Sequence, residues 1–595
     1  MSSKAIPLGA GFLIHPTGSE KIFSPEQFNE DQRMFADTAR RFVEEAVLPN
    51  VEALEHPDEG YTGMVAALKQ AGQLGLLMVE VPEEYGGLGL DKTTAMLCAE
   101  RIAVYAGFSV SFGAHTGIGT QPITFFGTPE QKAKWLPDLA SGEKLAAYAL
   151  TEPGSGSDAL AARTTAMLTA DGEHYVLNGS KMWITNAGFA DVFVVFAQVD
   201  GDKFTAFIVE ADRPGFSRGT EEHKLGLKGS STRLITLEDV KVPKGNLLGE
   251  VGKGHKIAFN ILNIGRFKLG VGCLGGSKSA IKVAIDYASE RRQFGKPIVT
   301  FGAIREKIGE MAVGCYALES MCYRVAGYMD ASIEAIDPGV ADYPAQVMKA
   351  IEEYAVEDSI IKIVGSELFW KVADHTVQIF GGFGYSEEYP AARLLRDARI
   401  NMIFEGTNEI NRMLIPGTIL KRTMKGQLPL FAAIAAVTDA IASPKPEVPP
   451  ADDELHRIVF LSEKAKQLTV YTANQAIQKH MADLKEQQEL LLALADMMIA
   501  CYAIDSTVTR TIQLDPQSRN IALKRAAART FVGQTYPTVL ALAEQVLEHI
   551  AGGKDKKRVE FHAALDKLGH RSGLDVIGGL RTVADATIEA GRYPF

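Results

Sequence analysis

The run "HYVLNGSKMWITN", His174 to Asn186, decides the fold. Apolar and polar residues alternate on either side of Asn178-Gly179, a dipeptide suited to the left-handed angles of a two-residue hairpin turn. The run therefore predicts two short strands turning at 178–179. "DVFVVFAQVDGDKFTAFIVEA" (Asp191–Ala211) repeats the form, with Val192–Val199 and Phe204–Val209 flanking Asp200-Gly201, and "TRLITLEDVKVP" adds a strand that stops at Pro243. Residues 146–247 thus predict a compact antiparallel β-domain.

The chain on both sides has helical periodicity. In "EDQRMFADTARRFVEEAVLP", Phe35, Ala39, Phe42 and Ala46 recur at three- and four-residue intervals, with Val43 and Val47 beside them, until Pro49 ends the run. From Gly254 to about Lys425 long amphipathic runs such as "FGAIREKIGEMAVGCYALESMCYRVAGYMD" predict a helical bundle. Then "KGQLPLFAAIAAVTDAIASPKPEVPPADD" places an alanine-rich segment, Phe431–Ala442, before Pro444, Pro446, Pro449 and Pro450, the composition of a linker. The rest is helical. The expected fold class is α+β, mainly α, divided as follows: an N-terminal extension (1–27), a helical domain (28–145), the β-domain (146–247), a helical bundle (248–425), a linker (426–453) and an extra C-terminal helical domain (454–595).

The chain of 595 residues, 46% hydrophobic and 23% charged, has the composition of a multidomain globular protein. Its 62 basic and 73 acidic residues leave a net charge of −11, which argues against nucleic acid as a partner. Five cysteines without a CxxC pair suit a reducing compartment and imply neither a disulfide framework nor a metal site. The start lacks the pattern of a secretory signal and no uninterrupted apolar run is as long as a membrane span, so a soluble cytoplasmic protein is expected.

Five segments carry chemistry. "YALTEPGSGSD" (Tyr148–Asp158) leads from a strand into a loop whose N–H groups and hydroxyls suit a phosphate or a polar ring edge, although a plain polar turn reads the same way. "KMWITN" sets Trp183 beside Thr185, either as core or against a planar cofactor. "SERRQFGKPI" (Ser289–Ile298) is a basic helix end that could also meet a pyrophosphate, and the glycines of "QIFGGFGY" (Gln378–Tyr385) permit close backbone approach. In "NMIFEGTNEIN", Glu405 follows three apolar residues; it is either a solvated carboxylate near a helix start capped by Thr407 or Asn408, or a base with its pKa raised in an apolar pocket.

With "VPEEYGGLG", "TEPGSGSD", "KMWITN", "ERRQFGKPI", "QIFGGFGYSEEYP", "LRDARI" and "IFEGTNEI" in this order, residues ~30–425 resemble the acyl-CoA dehydrogenase family. The extra C-terminal region, with "FGAHTGIG" and "ILNIGRFKLG", is most similar to its very-long-chain branch. The resemblance implies FAD as cofactor and an acyl-CoA substrate, with Glu405 removing the α-proton as hydride leaves the β-carbon for the flavin. Some branches place the base at the position of Gly265, which cannot serve, so the resemblance leaves Glu405. It implies further that Trp183, Ile184 and Thr185 lie beside the flavin ring, with Tyr148, Leu150, Thr151, Gly156 and Ser157 along the cofactor, Thr407 facing it and Glu409 near it, although Glu409 is acidic where relatives carry an amide. Arg291, Gln293, Phe294, Gln378, Gly381 and Gly382 match a segment reaching the FAD of a neighbouring subunit, which makes a homodimer, or a dimer of dimers, the expected assembly. Ser157, Asn263, Arg266 and Gly406 match contacts to the acyl-CoA. Gly113 and Ala114 stand where a bulkier residue closes the acyl cavity of medium-chain relatives, so a long tail is expected, unless close helix packing explains the small residues.

An electron-transfer flavoprotein is the implied electron acceptor and fatty-acid β-oxidation the implied setting. An acyl-CoA oxidase that returns electrons to oxygen, or a non-enzymatic scaffold on this fold, are the alternatives. The resemblance also suggests dimer support or peripheral membrane attachment for the C-terminal region through 431–442, a segment without the basic residues usual in such helices.

Overall fold

In the computed structural model, residues 7–443, 450 and 453–595 are described. Residues 1–6 of the extension and the linker prolines Pro444, Pro446 and Pro449 lie outside them.

The N-terminal part is helical. Asn29 caps the helix Glu30–Phe42 by accepting from the Gln32 N–H, and the Gln32 side chain accepts in return from the Asn29 N–H, so two otherwise unpaired donors are satisfied. After Phe42 the chain widens into a π-helical turn and a short 3-10 turn around Pro49 before resuming at Val51. Lys92–Ile102 and Ala106–Gly113 complete the part of this region that faces the site.

The middle region is one eight-stranded sheet: β1 Ala146–Ala149, β2 Thr165–Leu168, β3 His174–Thr185, β4 Val192–Val199, β5 Lys203–Glu210, β6 Phe216–Glu221, β7 Thr232–Pro243 and β8 Leu247–Leu248. The order is β6-β7-β3-β2-β4-β5-β8, with β1 on β4. Most pairs are antiparallel; β1 and β2 each run parallel to β4. Asp200-Gly201 turns β4 into β5 with left-handed φ of 53° and 89°, within a three-residue connection, 200–202, between the paired Val199 and Lys203. Asn178-Gly179 does not turn the chain. β3 runs straight through it, with a bulge against β7. Asn178 pairs across the bulge with Asp239, donating from its amide at 3.0 Å and accepting from the Asp239 N–H at 2.8 Å. The expectation of a hairpin there is corrected. Its local propensity is overridden because β3 pairs with the distant strand β7 on both sides of the dipeptide, besides pairing with its sequence neighbour β2 up to Asn178, and an internal turn would forfeit the β7 ladder. β4 is buried at every position because it is covered on both faces. Phe193 and Val195 enter the core of the β-region itself, whereas Val192, Val194 and Phe196 face the helices.

Helices Gly254–Glu290 and Ala355–Phe380 form the centre of the bundle. They touch backbone to backbone where Gly270 meets Ile361 and Gly365; a Cβ on Gly365 would lie 2.9 Å from the Gly270 Cα. The C-terminal helices Glu454–His480, Gln488–Ile512 and Ile521–Ala551 pack on one another, and Val576–Ala590 packs on Gly302–Glu334. Buried charges key this region to the bundle: Arg510 pairs with Glu319 and Glu26, each at 2.8 Å, and Arg324 pairs with Asp505 at 2.6 Å. Such pairs fix register more than they add stability, since each ion had to be desolvated. Within the stretch read as a linker, Leu430–Ala442 is a helix lying on Glu454–His480, with Phe431 exposed. Gly254–Glu290 and Gln488–Ile512 are long and apolar enough to cross a membrane by length and composition, but both lie mostly within the core.

Candidate active site

Glu405 sits in the turn between the short helix Ile400–Met402 and the helix Asn408–Met424. Thr407 caps the latter through its hydroxyl, which accepts from the Ile410 N–H at 3.2 Å. Glu405 and Gly406 both take left-handed backbone angles, φ 58° and 80°. For a glutamate that conformation costs on the order of 1 kcal/mol, and side chains from three helices hold it. Arg266 Nε donates to the Glu405 carbonyl at 3.2 Å, Lys362 Nζ to the Gly406 carbonyl at 2.8 Å, and Asn411 Nδ2 to the Gly406 and Thr407 carbonyls at 2.9 and 3.1 Å. With its carbonyls turned inward, the turn presents the Glu405 N–H without an acceptor among the described residues.

The Glu405 carboxylate points into a cavity of about 1420 Å³, and its Oε2 is buried without a hydrogen-bond partner. Burial raises its pKa to about 7, while Arg266 and Lys362 oppose the rise. Across the carboxylate lies Gly265, where a Cβ would come within 2.6 Å of Oε2. The position some branches use for the base is therefore the one this carboxylate fills.

An apolar tunnel of about 160 Å³ opens from Glu405 and Phe404 between helices 92–102, 106–113 and 254–290, lined by Ala99, Ala103, Gly113, Ala114, Gly272 and Phe369 among others. A Cβ built on Gly113 meets nothing within 4 Å. Its smallness therefore leaves space in the tunnel and is not a demand of helix packing.

Residues 29–143 match the family model described as acyl-CoA dehydrogenase, N-terminal domain, 147–240 match the middle domain, and 252–420 and 464–565 match two models of the C-terminal domain. The chain is 46% identical over 597 residues, all of both chains, to a probable acyl-CoA dehydrogenase of Bacillus subtilis (strain 168). The chain belongs to the acyl-CoA dehydrogenase family. It is 37% identical over 526 residues to the very long-chain specific acyl-CoA dehydrogenase, mitochondrial, of Rattus norvegicus, across 83% of this chain and 76% of that one. A crystal structure of an acyl-CoA dehydrogenase complexed with FAD from Bacillus anthracis superposes with a TM-score of 0.95 at 44% identity, covering 99% of this chain and all of that one.

The other residues singled out in this acyl-CoA dehydrogenase fall into three groups. Tyr148, Leu150, Thr151, Gly156, Ser157, Trp183, Ile184, Thr185, Asn263, Arg266, Gly406 and Thr407 line the large cavity with Glu405. Trp183 reaches it through a second irregularity in β3, between Lys181 and Ile184, where Trp183 takes φ 62° and its indole turns out, 54% exposed. The Thr151 loop is fastened to the same place: the Met182 N–H donates to the Thr151 carbonyl at 2.8 Å, and buried Glu152 holds Lys181 at 2.7 Å and the Thr164 hydroxyl at 2.6 Å. Arg291, Gln293, Phe294, Gln378, Gly381 and Gly382 form the second group, gathered on one exposed face away from the cavity. Phe294 is 92% exposed, and Arg291 lies over the Phe383 ring at 5.3 Å. The third group is Glu409 alone, exposed in the first turn of its helix and outside the cavity lining.

Sequence reasoning missed Lys362, Asn411 and the Glu152–Lys181 pair. Lys362 had a legible signal, a lone charge inside the apolar run "SIIKIVG"; Asn411 had none beyond lying within the quoted motif.

Proposed function

We propose that this acyl-CoA dehydrogenase is FAD-dependent and converts a long-chain acyl-CoA to its trans-2-enoyl-CoA, with Glu405 as the base. The observation that carries the reading is a carboxylate and a backbone N–H without partners among the described residues, facing both a roomy cavity of mixed polar and apolar lining and an apolar tunnel. Glu405 breaks the α C–H bond and keeps the proton on its carboxylate. A thioester α-proton is only weakly acidic, so the charge developing on the carbonyl oxygen needs donors in place beforehand; the Glu405 N–H is one. The raised pKa brings the carboxylate near the operating pH, where a base combines ionisation with proton affinity.

The residues around the cavity fit a flavin. Tyr148 carries a buried hydroxyl with no partner, Thr185 offers a hydroxyl, and the Trp183 indole stands open at the wall. When bound, FAD supplies the hydride acceptor for the β C–H bond. Thr151, Ser157 and Thr407 would hold it from the sheet side and the helix start. The exposed group around Arg291 and Gln378 suits a cofactor projecting from a second copy, so a homodimer is the proposed unit. An electron-transfer flavoprotein is the proposed electron acceptor, supported by the family alone. Gly113 and the tunnel beyond it support the long tail.

The test is anaerobic bleaching of the bound flavin across a series of acyl-CoA lengths, with and without Glu405→Gln. Bleaching by long-chain substrates that the substitution reduces by at least 10³-fold supports the reading; this is the scale on which removing a catalytic base acts. Unchanged bleaching in the variant refutes it, and rapid hydrogen peroxide release in air would assign the electrons to oxygen instead.

A further inference from the structure

The turn that carries Glu405 is held through a chain of hydrogen bonds that begins in the C-terminal helical region. Lys362 is buried in the middle of the helix Ala355–Phe380, and besides the Gly406 carbonyl its ammonium meets Asn408 Oδ1 at 2.7 Å. The amide of Asn408 is oriented from its other side, because its Nδ2 donates to Glu367 Oε1 at 3.0 Å. Glu367 takes both ends of the Arg412 guanidinium, at 2.7 and 3.1 Å. The remaining Arg412 donor, Nε, reaches Asp496 Oδ1 at 2.7 Å, and Asp496 belongs to the helix Gln488–Ile512. Sequence spacing makes the chain feasible. Asn408 and Arg412 are four apart and share a face of one helix, and the Asn408 amide bridges Lys362 and Glu367, five apart on the other.

We propose that Lys362 is a positioning residue for Glu405, holding the Gly406 carbonyl so that the left-handed turn aims both the carboxylate and its N–H, and that Asp496 acts on the same turn through Arg412, Glu367 and Asn408. The inference rests on Glu405 being the base. A left-handed glutamate persists only where its surroundings over-determine it. The donors to Gly406 O are Lys362 and Asn411, and only Lys362 is tied to groups beyond the turn's own helix. Its charge acts as well. Arg266 and Lys362 both draw the Glu405 pKa down, while Tyr148 faces the carboxylate from β1 and buried Asp358 lies beside Arg266. Lys362 itself is faced by Cys273 and Arg266 from the 254–290 helix, by Glu405, and by Glu367 on its own helix. Removing the ammonium therefore raises the Glu405 pKa and moves the acid limb of the rate to higher pH. Removing Asp496 leaves that charge in place and moves the rate alone.

The experiment compares FAD-loaded wild type, Lys362→Met, Lys362→Arg, Asp496→Asn, the Lys362→Met/Asp496→Asn double variant and Glu405→Gln. It measures kcat and KM by acyl-CoA bleaching from pH 5.5 to 9, with flavin content and Tm. Lys362→Met is expected to lose roughly 30-fold in kcat, somewhat less than deletion of an oxyanion donor, with KM within threefold and the acid limb shifted upward. Lys362→Arg should regain most of the rate and the original limb. Asp496→Asn should lose about 5-fold in kcat with the limb unmoved, and the double variant should be no slower than Lys362→Met, because coupled groups are not additive. Wild-type kcat in Lys362→Met beside an inactive Glu405→Gln overturns the positioning role; independent, multiplying losses overturn the relay from Asp496. Should Lys362→Met fail to fold, Asp496→Asn decides, and wild-type kcat there refutes the proposal. An active Glu405→Gln would instead refute the assignment of the base.

Discussion

Gly265→Ala separates the geometry of the base from the stability of the fold. Gly265 lies within the long helix Gly254–Glu290, where alanine is favoured over glycine by about 1 kcal/mol. The added Cβ would stand 2.6 Å from Oε2, 2.8 Å from Cδ and 3.1 Å from Oε1 of Glu405. The nearest approach falls about 0.8 Å short of ordinary van der Waals contact, so a repulsive contact must be relieved by movement. What blocks the methyl is the free end of a side chain, so the carboxylate swings aside and the helix stays. A displacement near 1 Å of a reacting group costs on the order of 10²-fold. The expected outcome is a kcat about 100-fold down, normal flavin content and a Tm equal to or above wild type. Stopped-flow bleaching with a saturating long-chain acyl-CoA, beside calorimetry, reads both. In a Glu405→Gln background the same change should cost little more, since the misplaced group is already neutral. A kcat within threefold of wild type would refute the geometry; a Tm lowered by several degrees would show that the backbone, not the carboxylate, had yielded.

Three further outcomes are expected. As the proposed base, Glu405 would have to be ionised to accept the α-proton, and burial pushes its pKa up to about 7, so kcat/KM should rise tenfold per pH unit below 7 and level off above it; a profile flat from pH 5.5 to 9 would contradict this. Gly113→Leu fills the tunnel without meeting a neighbour within 4 Å at its Cβ, so long-chain substrates should lose 10-fold or more while short ones keep their rates, read as kcat/KM along a chain-length series. Arg291→Ala should lose flavin although Arg291 lies outside its own chain's cavity, and mixing it with Glu405→Gln should restore about a quarter to a half of the wild-type activity through one intact site per heterodimer, within the two- to threefold spread of such effects; no recovery on subunit exchange would refute the cross-subunit role.

Much of the architecture is written in local patterns. Helical periodicity at Phe35, Ala39 and Phe42, the Asp200-Gly201 turn and the break at Pro243 depend on neighbours a few residues away, and each falls where the pattern places it. Glu405, set between an apolar run and a glycine, lies at the wall of the large cavity. Asn178-Gly179 carries an equally strong local signal, yet β3 continues through it because pairing with β7, from a remote part of the chain, outweighs one turn. Gly113 and Gly270 look alike as letters. One faces open tunnel and the other touches the Ile361 backbone, and only packing tells them apart.

The sequence by itself determined the order of regions and, through motifs in a fixed order, the family, and it singled out Glu405 as the candidate base, because these rest on periodicity and on residue types at fixed spacing. The tertiary structure alone decided how that carboxylate is aimed and tuned. Its desolvation, its close approach to Gly265 and the path from Asp496 to the Gly406 carbonyl depend on the register between helices distant in sequence, which sequence spacing does not encode. A side chain's pKa and direction are properties of what surrounds it, and its surroundings here are assembled by packing.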